Sequence, residues 1–361
     1  MRARHDGGSS SGRKVTVRDV AAAAGVSAAT ASRVLSGHES VNPEMARRVL
    51  KASAELGYSA NVFARALRTE RTDSIGMVVP SISNPYFVGA VEAVEKALAS
   101  SGRSLILCNS GNSVEIEAQR TDLLVQRMVD GLVVIPVDDS RSVPALAAAA
   151  ARVPVVQFDR VARGALTDFV GSDDAEGVHQ CVDHLRDRGC STFAYIGARP
   201  TTSTAEARLR AFRELVGPDS TRDEWILLGE FSGGWGREAA TTLVRGEMPE
   251  AIVCGADVIA VSLMAVLSEA GVHVPDEVKV VSYDDSGLGL LTVPHLTSVH
   301  QPVDSMAREA VRLLDHRRRH PEAAIRKSIF APDIVVREST AVHEPASTGG
   351  WGARTAAPHP A

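Results

Sequence analysis

Cysteine is scarce: four residues in 361, Cys108, Cys181, Cys190 and Cys254. None stands in C-x-x-C spacing or beside a histidine pair, which excludes a disulfide framework and a zinc site of the usual pattern. They read as small buried hydrophobes. No run of roughly 18 or more apolar residues occurs, so a membrane-spanning helix is excluded. The Gly/Ser-rich start has no apolar segment of the kind a secretory signal needs, so a cytoplasmic location is expected. A Walker-type glycine loop, G-x-S-x-G, H-E-x-x-H and G-x-G-x-x-G are all missing. Adjacent acids occur at Asp173-Asp174 and Asp284-Asp285, but such pairs are common on strand-to-helix turns. The eleven histidines are scattered. No enzyme, metal or cofactor is expected.

What is present is a globular composition, 44% hydrophobic and 23% charged. The net charge of -5 is unevenly spread. Residues 1–72 carry 12 basic and 6 acidic side chains, and the remainder 27 and 38. A short basic segment joined to a longer acidic body is the asymmetry of a separate anion-binding module.

Residues 1–13 and 341–361 are rich in Gly, Ser, Ala and Pro without periodicity and read as disordered tails. Between them, Thr16 can cap a helix over 17–24, with Asp19 returning the bond in a capping box. Gly25 ends it. Ser27 opens a second helix over 28–35, and a third follows Asn42-Pro43 and closes at Gly57. Two short helices joined by a Gly-containing turn form a helix-turn-helix pattern. Val20, Ala23, Val26, Ala31, Val34, Leu35, Val49, Leu50 and Leu56 fall at helical spacing as a small core. Ala28, Ala29, Thr30, Ser32 and Arg33 then face outward on the second helix, as a major-groove reader requires. The segment from Asn61 to Arg68, with Arg65 and Arg68 on one side, is too short to be a stable helix alone. It reads as a linker, or as a hinge that folds on DNA and wedges Leu67 into the minor groove.

These residues resemble the headpiece of the lac repressor (LacI/GalR) family. The resemblance is carried by Val15-Thr16-Val17-Arg18-Asp19-Val20-Ala21, Gly25-Val26-Ser27, Thr30-Ala31-Ser32-Arg33-Val34-Leu35 and Leu56-Gly57-Tyr58. It continues through Ile75-Gly76-Met77-Val78-Val79-Pro80 and Ser83-Asn84-Pro85-Tyr86-Phe87, and covers about residues 14–340. It implies that Thr16, Ser27, Ala28, Ala29, Thr30, Ser32, Arg33, Asn61, Ala64, Arg65 and Leu67 meet DNA. Ala28 and Ala29, at the positions that most alter operator choice in the family, can only touch a thymine methyl or leave room. Polar base readout therefore falls mostly on Arg33. Ala60 stands where many relatives carry proline.

From Ser74 onward, short apolar runs alternate with helical stretches. Strands are expected at 75–79, 104–108, 131–135 and 153–158, then at 192–196, 225–228, 251–254 and 278–282. Two more follow at 298–301 and 329–336. Continuous apolar strands between helices imply parallel sheets buried on both faces. The expected fold is an all-α helix-turn-helix headpiece followed by an α/β two-lobed periplasmic-binding-protein-like domain with two doubly wound parallel sheets. The headpiece spans 14–60, a hinge 61–73 and the core 74–340. The N-lobe takes about 74–160 and 301–327, and the C-lobe about 161–300 and 328–340, with crossings near Val161, Gln301 and residues 326–330.

Ligands of such folds bind in the crevice at the strands' carboxyl ends. Asp159-Arg160, Asp257 and Asp284 follow strands there. Carboxylates can accept from a sugar's vicinal hydroxyls while an arginine supplies donors. The resemblance adds Arg208, in a motif that binds effector in relatives, and Phe231, matching an aromatic that stacks on it. Asn84, Tyr86 and Phe87 would line the N-lobe's share. Gly255-Ala256-Asp257 replaces the common Ala-Asn-Asp, and Ala211 a glycine. The implied partners are double-stranded operator DNA, a second copy of the chain and a small effector. That effector is a carbohydrate or, alternatively, a nucleobase co-repressor. An effector-independent regulator, a transport protein and a sugar-processing enzyme are the rival readings. The basic run from His316 to His320 reads as a helix end complementing its dipole.

Overall fold

The computed structural model describes residues 15–35, 41–58 and 71–341, and the chain divides into two compact units at Thr72/Asp73. The predicted tails, apart from Ala341, and the hinge positions Asn61, Ala64, Arg65 and Leu67 lie outside the described residues.

In the first unit, local chemistry sets each helix end. Thr16 is extended and accepts from the Asp19 amide at 3.4 Å, while the Asp19 carboxylate accepts from the Thr16 amide at 2.8 Å. Helix α1, Val17–Ala24, stops at Gly25, whose φ of 63° is left-handed. Arg48 reaches across to the freed carbonyls, donating to Ala24 and, at 3.2 Å, to Gly25. A side chain at 25 would need a disfavoured backbone and would meet the Arg48 guanidinium at 2.5 Å. The Ser27 hydroxyl accepts from the Thr30 amide at 3.1 Å and opens α2, Ala28–Leu35. Asn42 caps α3, Pro43–Glu55, with Pro43 in its first turn.

The core of this unit is Val20, Ala21, Ala24, Ala31, Val34, Val49 and Ala52. Ala23, Leu50 and Leu56, expected inside, are exposed, Leu50 at 57%. On α3 the inward face runs through Val49 and Ala52, three apart, which leaves Leu50 about 100° off it.

The second unit holds two six-stranded sheets. In the first, the order is β11 (Lys327–Phe330), β5 (Asp168–Ser172), β4 (Val155–Phe158), β3 (Leu132–Val134), β1 (Ser74–Val79) and β2 (Ser104–Asn109), all parallel. The second runs β12 (Asp333–Val335), β10 (Thr297–His300), β9 (Lys279–Asp284), β8 (Ala251–Cys254), β6 (Phe193–Ala198) and β7 (Ile226–Gly229). It is parallel except for β12, which pairs antiparallel with β10, so an edge of this sheet departs from the expected all-parallel form.

Helices connect the strands: α4 (Pro85–Ala99), α5 (Val114–Gln126), α6 (Val143–Ala150), α7 (Asp174–Arg186), α8 (Ser203–Val216), α9 (Gly233–Leu243), α10 (Asp257–Glu269) and α11 (Val303–Arg319). Ile75, Met77 and Val79 of β1 are buried with Phe158, because helices cover both faces. The late helix α11 returns to this first lobe, adding Met306, Ala310, Leu313 and Leu314 to the same core.

The chain changes lobes after Ser172, at Gln301–Pro302, and between Phe330 and Asp333. The first change is later than Val161 because β5 joins the first sheet; its Asp-Phe-Val-Gly-Ser sequence shows no apolar run. The expected strand over 329–336 splits at Ala331-Pro332, and its halves enter different sheets, since proline cannot continue a ladder.

Candidate functional site

On α2, Ala28, Ala29 and Arg33 are exposed, and Arg33 is the helix's only charged side chain. Thr30 and Ser32 are half-buried, and the Thr30 hydroxyl shares a 2.9 Å hydrogen bond with that of the capping Ser27. Thr16 donates its hydroxyl to Asp19 at 2.7 Å. This face therefore offers two methyls and one exposed guanidinium.

In the second unit the strand ends of both lobes converge. Three residues there hold left-handed backbones without being glycine: Asp159 (φ 63°), Asp284 (109°) and Asp285 (47°). Such strain collects where a side chain must be aimed. Asp159 accepts from the Tyr86 hydroxyl at 2.6 Å, and Gln301 donates its amide to Asp284 at 2.8 Å. Tyr86 also lies 3.2 Å from the Gln301 carbonyl oxygen, so one chain of polar contacts ties α4 to the end of β9 through the second crossing.

Beneath it, Arg208 is 3% exposed. Its Nε donates to Asp174 at 2.7 Å and its Nη1 to the Gly255 carbonyl at 2.8 Å; Asp284 lies 3.6 Å away. The guanidinium stacks 3.6 Å from the Tyr283 ring centroid. Burial pushes Asp174 up to about 6 against the pull of Arg208, and burial likewise raises Asp284 well above the carboxylate range.

Arg160 forms a second centre. It is buried between Phe87 of the first lobe and Phe231 of the second, 5.2 Å from each ring centroid. A cavity of about 260 Å³ opens beside it, lined also by Asn84, Arg199, Thr202, Glu230 and Ser232. A larger space of about 490 Å³ is lined by α4 with Tyr86, by Asp284 and by the second crossing.

Among the nine residues expected at the cleft, Asn84, Phe87, Arg160 and Phe231 line the smaller cavity, and Tyr86 and Asp284 the larger. Asn84 also caps α4, accepting from the Tyr86 amide at 3.1 Å. Asp159 and Arg208 sit behind the walls. Asp257 is turned away: it accepts from the Ser286 amide (2.7 Å) and hydroxyl (3.0 Å) and from the Ser298 hydroxyl (2.7 Å). It pins the loop after β9. The sequence assigns no cleft role to Asp174, which it shows only as half of an acidic pair, to Gln301, which it shows only as a crossing, or to Arg199 and Thr202. The strand-end rule alone would have found Arg199, which directly follows β6.

The buried acid gives a pH signature. Asp174, raised in the folded state, adds stability that is complete below about pH 4 and lost as pH rises through about 6. His184, lowered to about 4 by burial and then by Arg188, contributes in the opposite sense, losing stability as pH falls. Asp174→Asn is therefore expected to steepen the acid loss of stability between pH 7 and 5 by about 1 kcal/mol. Urea unfolding at both values measures it; parallel profiles for the two proteins would refute the assignment.

A helix-turn-helix unit joined to a two-lobed α/β cleft domain defines a DNA-binding regulator of the ligand-sensing class. Residues 16–61 match the family of bacterial regulatory proteins called the lacI family, and residues 182–340 a periplasmic binding protein-like domain. The chain is 31% identical over 327 residues to the HTH-type transcriptional repressor PurR of Photobacterium profundum, covering 90% of this chain and 98% of that one. It is 32% identical over 330 residues to the PurR repressor of Mannheimia succiniciproducens, with the same coverage. The lac repressor dimer bound to operator and the anti-inducer ONPF superposes with a TM-score of 0.81 at 25% identity, covering 91% of this chain and 100% of that one. A complex of the transcriptional regulator CelR with cellobiose gives 0.68 at 29% identity, over 90% and 99%. The chain belongs to the lacI family of bacterial regulatory proteins. It is a DNA-binding transcriptional repressor of that family, and its relatives are repressors rather than enzymes.

Proposed function

We propose that two copies of the chain bind a pseudopalindromic operator in the cytoplasm, and that a small sugar-like ligand in the interlobe cleft sets their affinity for it. Two-fold symmetry would put one α2 in each half-site. Arg33 would read a guanine, Ala28 and Ala29 a thymine methyl, and Asn61, Ala64, Arg65 and Leu67 the minor groove, with Thr16, Ser27, Thr30 and Ser32 steadying that contact.

The observation that carries the sensing role is Arg160 held between Phe87 of one lobe and Phe231 of the other, at the wall of a ligand-sized cavity. Anything seated there touches both lobes, so it favours whichever lobe spacing binds it better. Solved structures support a sugar: the regulator CelR holds cellobiose, and a periplasmic binding protein/LacI transcriptional regulator from Alkaliphilus metalliredigens holds D-xylulofuranose.

The test separates the two units. A fragment starting at Ser74 is expected to keep ligand binding by calorimetry and to lose operator binding by gel shift. The full chain's DNA affinity should fall steeply with salt, because the basic excess lies in residues 1–72. Retained operator binding by the fragment, or a full-length affinity indifferent to ligand, would overturn the reading.

A further inference from the structure

We infer that the ligand of the smaller cavity carries an anionic group, a carboxylate or a phosphate, taken by Arg160 and Arg199; this rests on the sensing role proposed above. The cavity is surrounded by donors. Asn84, Thr202 and Ser232 on its wall are the N-caps of α4, α8 and α9, so three helix N-termini converge there. Each presents the positive end of its dipole. The caps also spend their acceptor oxygens on backbone amides: Asn84 on Tyr86 at 3.1 Å, Thr202 on Ala205 at 3.3 Å and Ser232 on Trp235 at 3.2 Å. Asn84 keeps its amide N–H groups and Ser232 its O–H for a ligand, while the Thr202 hydroxyl is also shared with that of Thr204 at 3.3 Å.

The charges point the same way. Arg160 is 6% exposed; among the described residues its buried Nε has no hydrogen-bond partner, and its Nη1 has the Pro136 carbonyl at 3.5 Å. The neighbouring Asp159 carboxylate stands 3.7 Å from that Nε, beyond hydrogen-bond reach, with Oδ1 committed to Tyr86. A buried guanidinium left so incompletely satisfied is costly unless an acceptor arrives. Arg199 adds a second, exposed guanidinium, and among the described residues Glu230 is the one carboxylate lining the space. The acids suited to accepting from neutral sugar hydroxyls are elsewhere: Asp257 is saturated by Ser286 and Ser298, Asp284 opens on the larger space, and Asp174 is paired with Arg208. A neutral polyol could use the hydroxyls and amides of the wall but would leave both guanidiniums without a charged acceptor, which an oxyanion supplies. Charge-assisted bonds to arginine are roughly twice as strong as neutral ones.

The experiment is calorimetry on the full chain with glucuronate and glucose 6-phosphate against glucose and cellobiose. At least one anion is expected to bind tenfold or more tighter than both neutral sugars, and the two anions tell carboxylate from phosphate. Arg160→Gln and Arg199→Gln should each erase that preference; Arg199 is exposed, so its variant tests the charge without disturbing the fold. Neutral sugars that bind as well as the anions, or an anion preference surviving both substitutions, would overturn the inference while leaving the sensing role intact. No binding by any of the four would count against the sugar-sensing reading itself.

Discussion

Replacing Arg208 by methionine should destabilise the second unit by about 3–5 kcal/mol, the range for breaking one side of a buried ion pair. The reason lies in what remains. Asp174 would lose its 2.7 Å donor, Asp284 the positive charge 3.6 Å away, and the Gly255 carbonyl its partner. Methionine keeps much of the side-chain volume against Tyr283, so the loss reports charge rather than a cavity. Since burial already raises both carboxyls, they would protonate more readily in the variant, and part of the loss should return at pH 5. Thermal unfolding followed by near-ultraviolet circular dichroism measures the second unit. A further Asp174→Asn change should recover some of the stability, because it removes one stranded charge. A loss below about 1 kcal/mol would mean that the buried Arg208 pair contributes no more than an exposed ion pair does.

Arg33→Ala carries the second large effect, on recognition instead of stability. Arg33 is exposed and away from the core, so melting should not change. Binding to the chain's own operator, recovered by selection from random sequence, should weaken by about 1–3 kcal/mol. Binding to unrelated DNA should weaken only by the loss of one phosphate-range charge. The contrast depends on the neighbours: Ala28 and Ala29 have no polar atoms, and Thr30 shares its hydroxyl with Ser27. Equal losses on both DNAs would show Arg33 to be a phosphate contact.

The helix ends of the first unit could be read from sequence because each is decided within about four residues. Thr16 with Asp19, Gly25, Ser27, and Asn42 with Pro43 all act on their own turn. The parallel strands were legible for a different reason: burial on both faces leaves an unbroken apolar run. Where these rules stop applying, the reading slipped. The strand Asp168–Ser172 begins and ends on polar residues and contains Gly171, so it shows no unbroken apolar run. Arg48 satisfies the end of α1 from 23 and 24 residues away, which no local pattern announces. At the cleft, position was readable and direction was not. Asp257 and Asp284 both follow strands, yet partners 29 and 41 residues downstream turn Asp257 aside. Asp174 looked like half of an unremarkable acidic turn until Arg208, 34 residues on, was seen to need it.

The return of α11 to the first lobe has a consequence for how the protein is made. Strand β1 begins at Ser74, but the helix that shares its core begins at Val303. At about 5–20 residues per second, roughly ten to fifty seconds of synthesis separate the two. Throughout that interval Met77, Phe158 and their neighbours lack the surface that Met306 and Leu313 provide. The second lobe waits too, since β12 closes its edge only at Asp333–Val335. The three headpiece helices, by contrast, have all their mutual contacts once residue 58 has emerged. A nascent chain thus carries a folded three-helix headpiece long before it owns a sensor. A message cut short near codon 300 would release a headpiece that answers to no ligand.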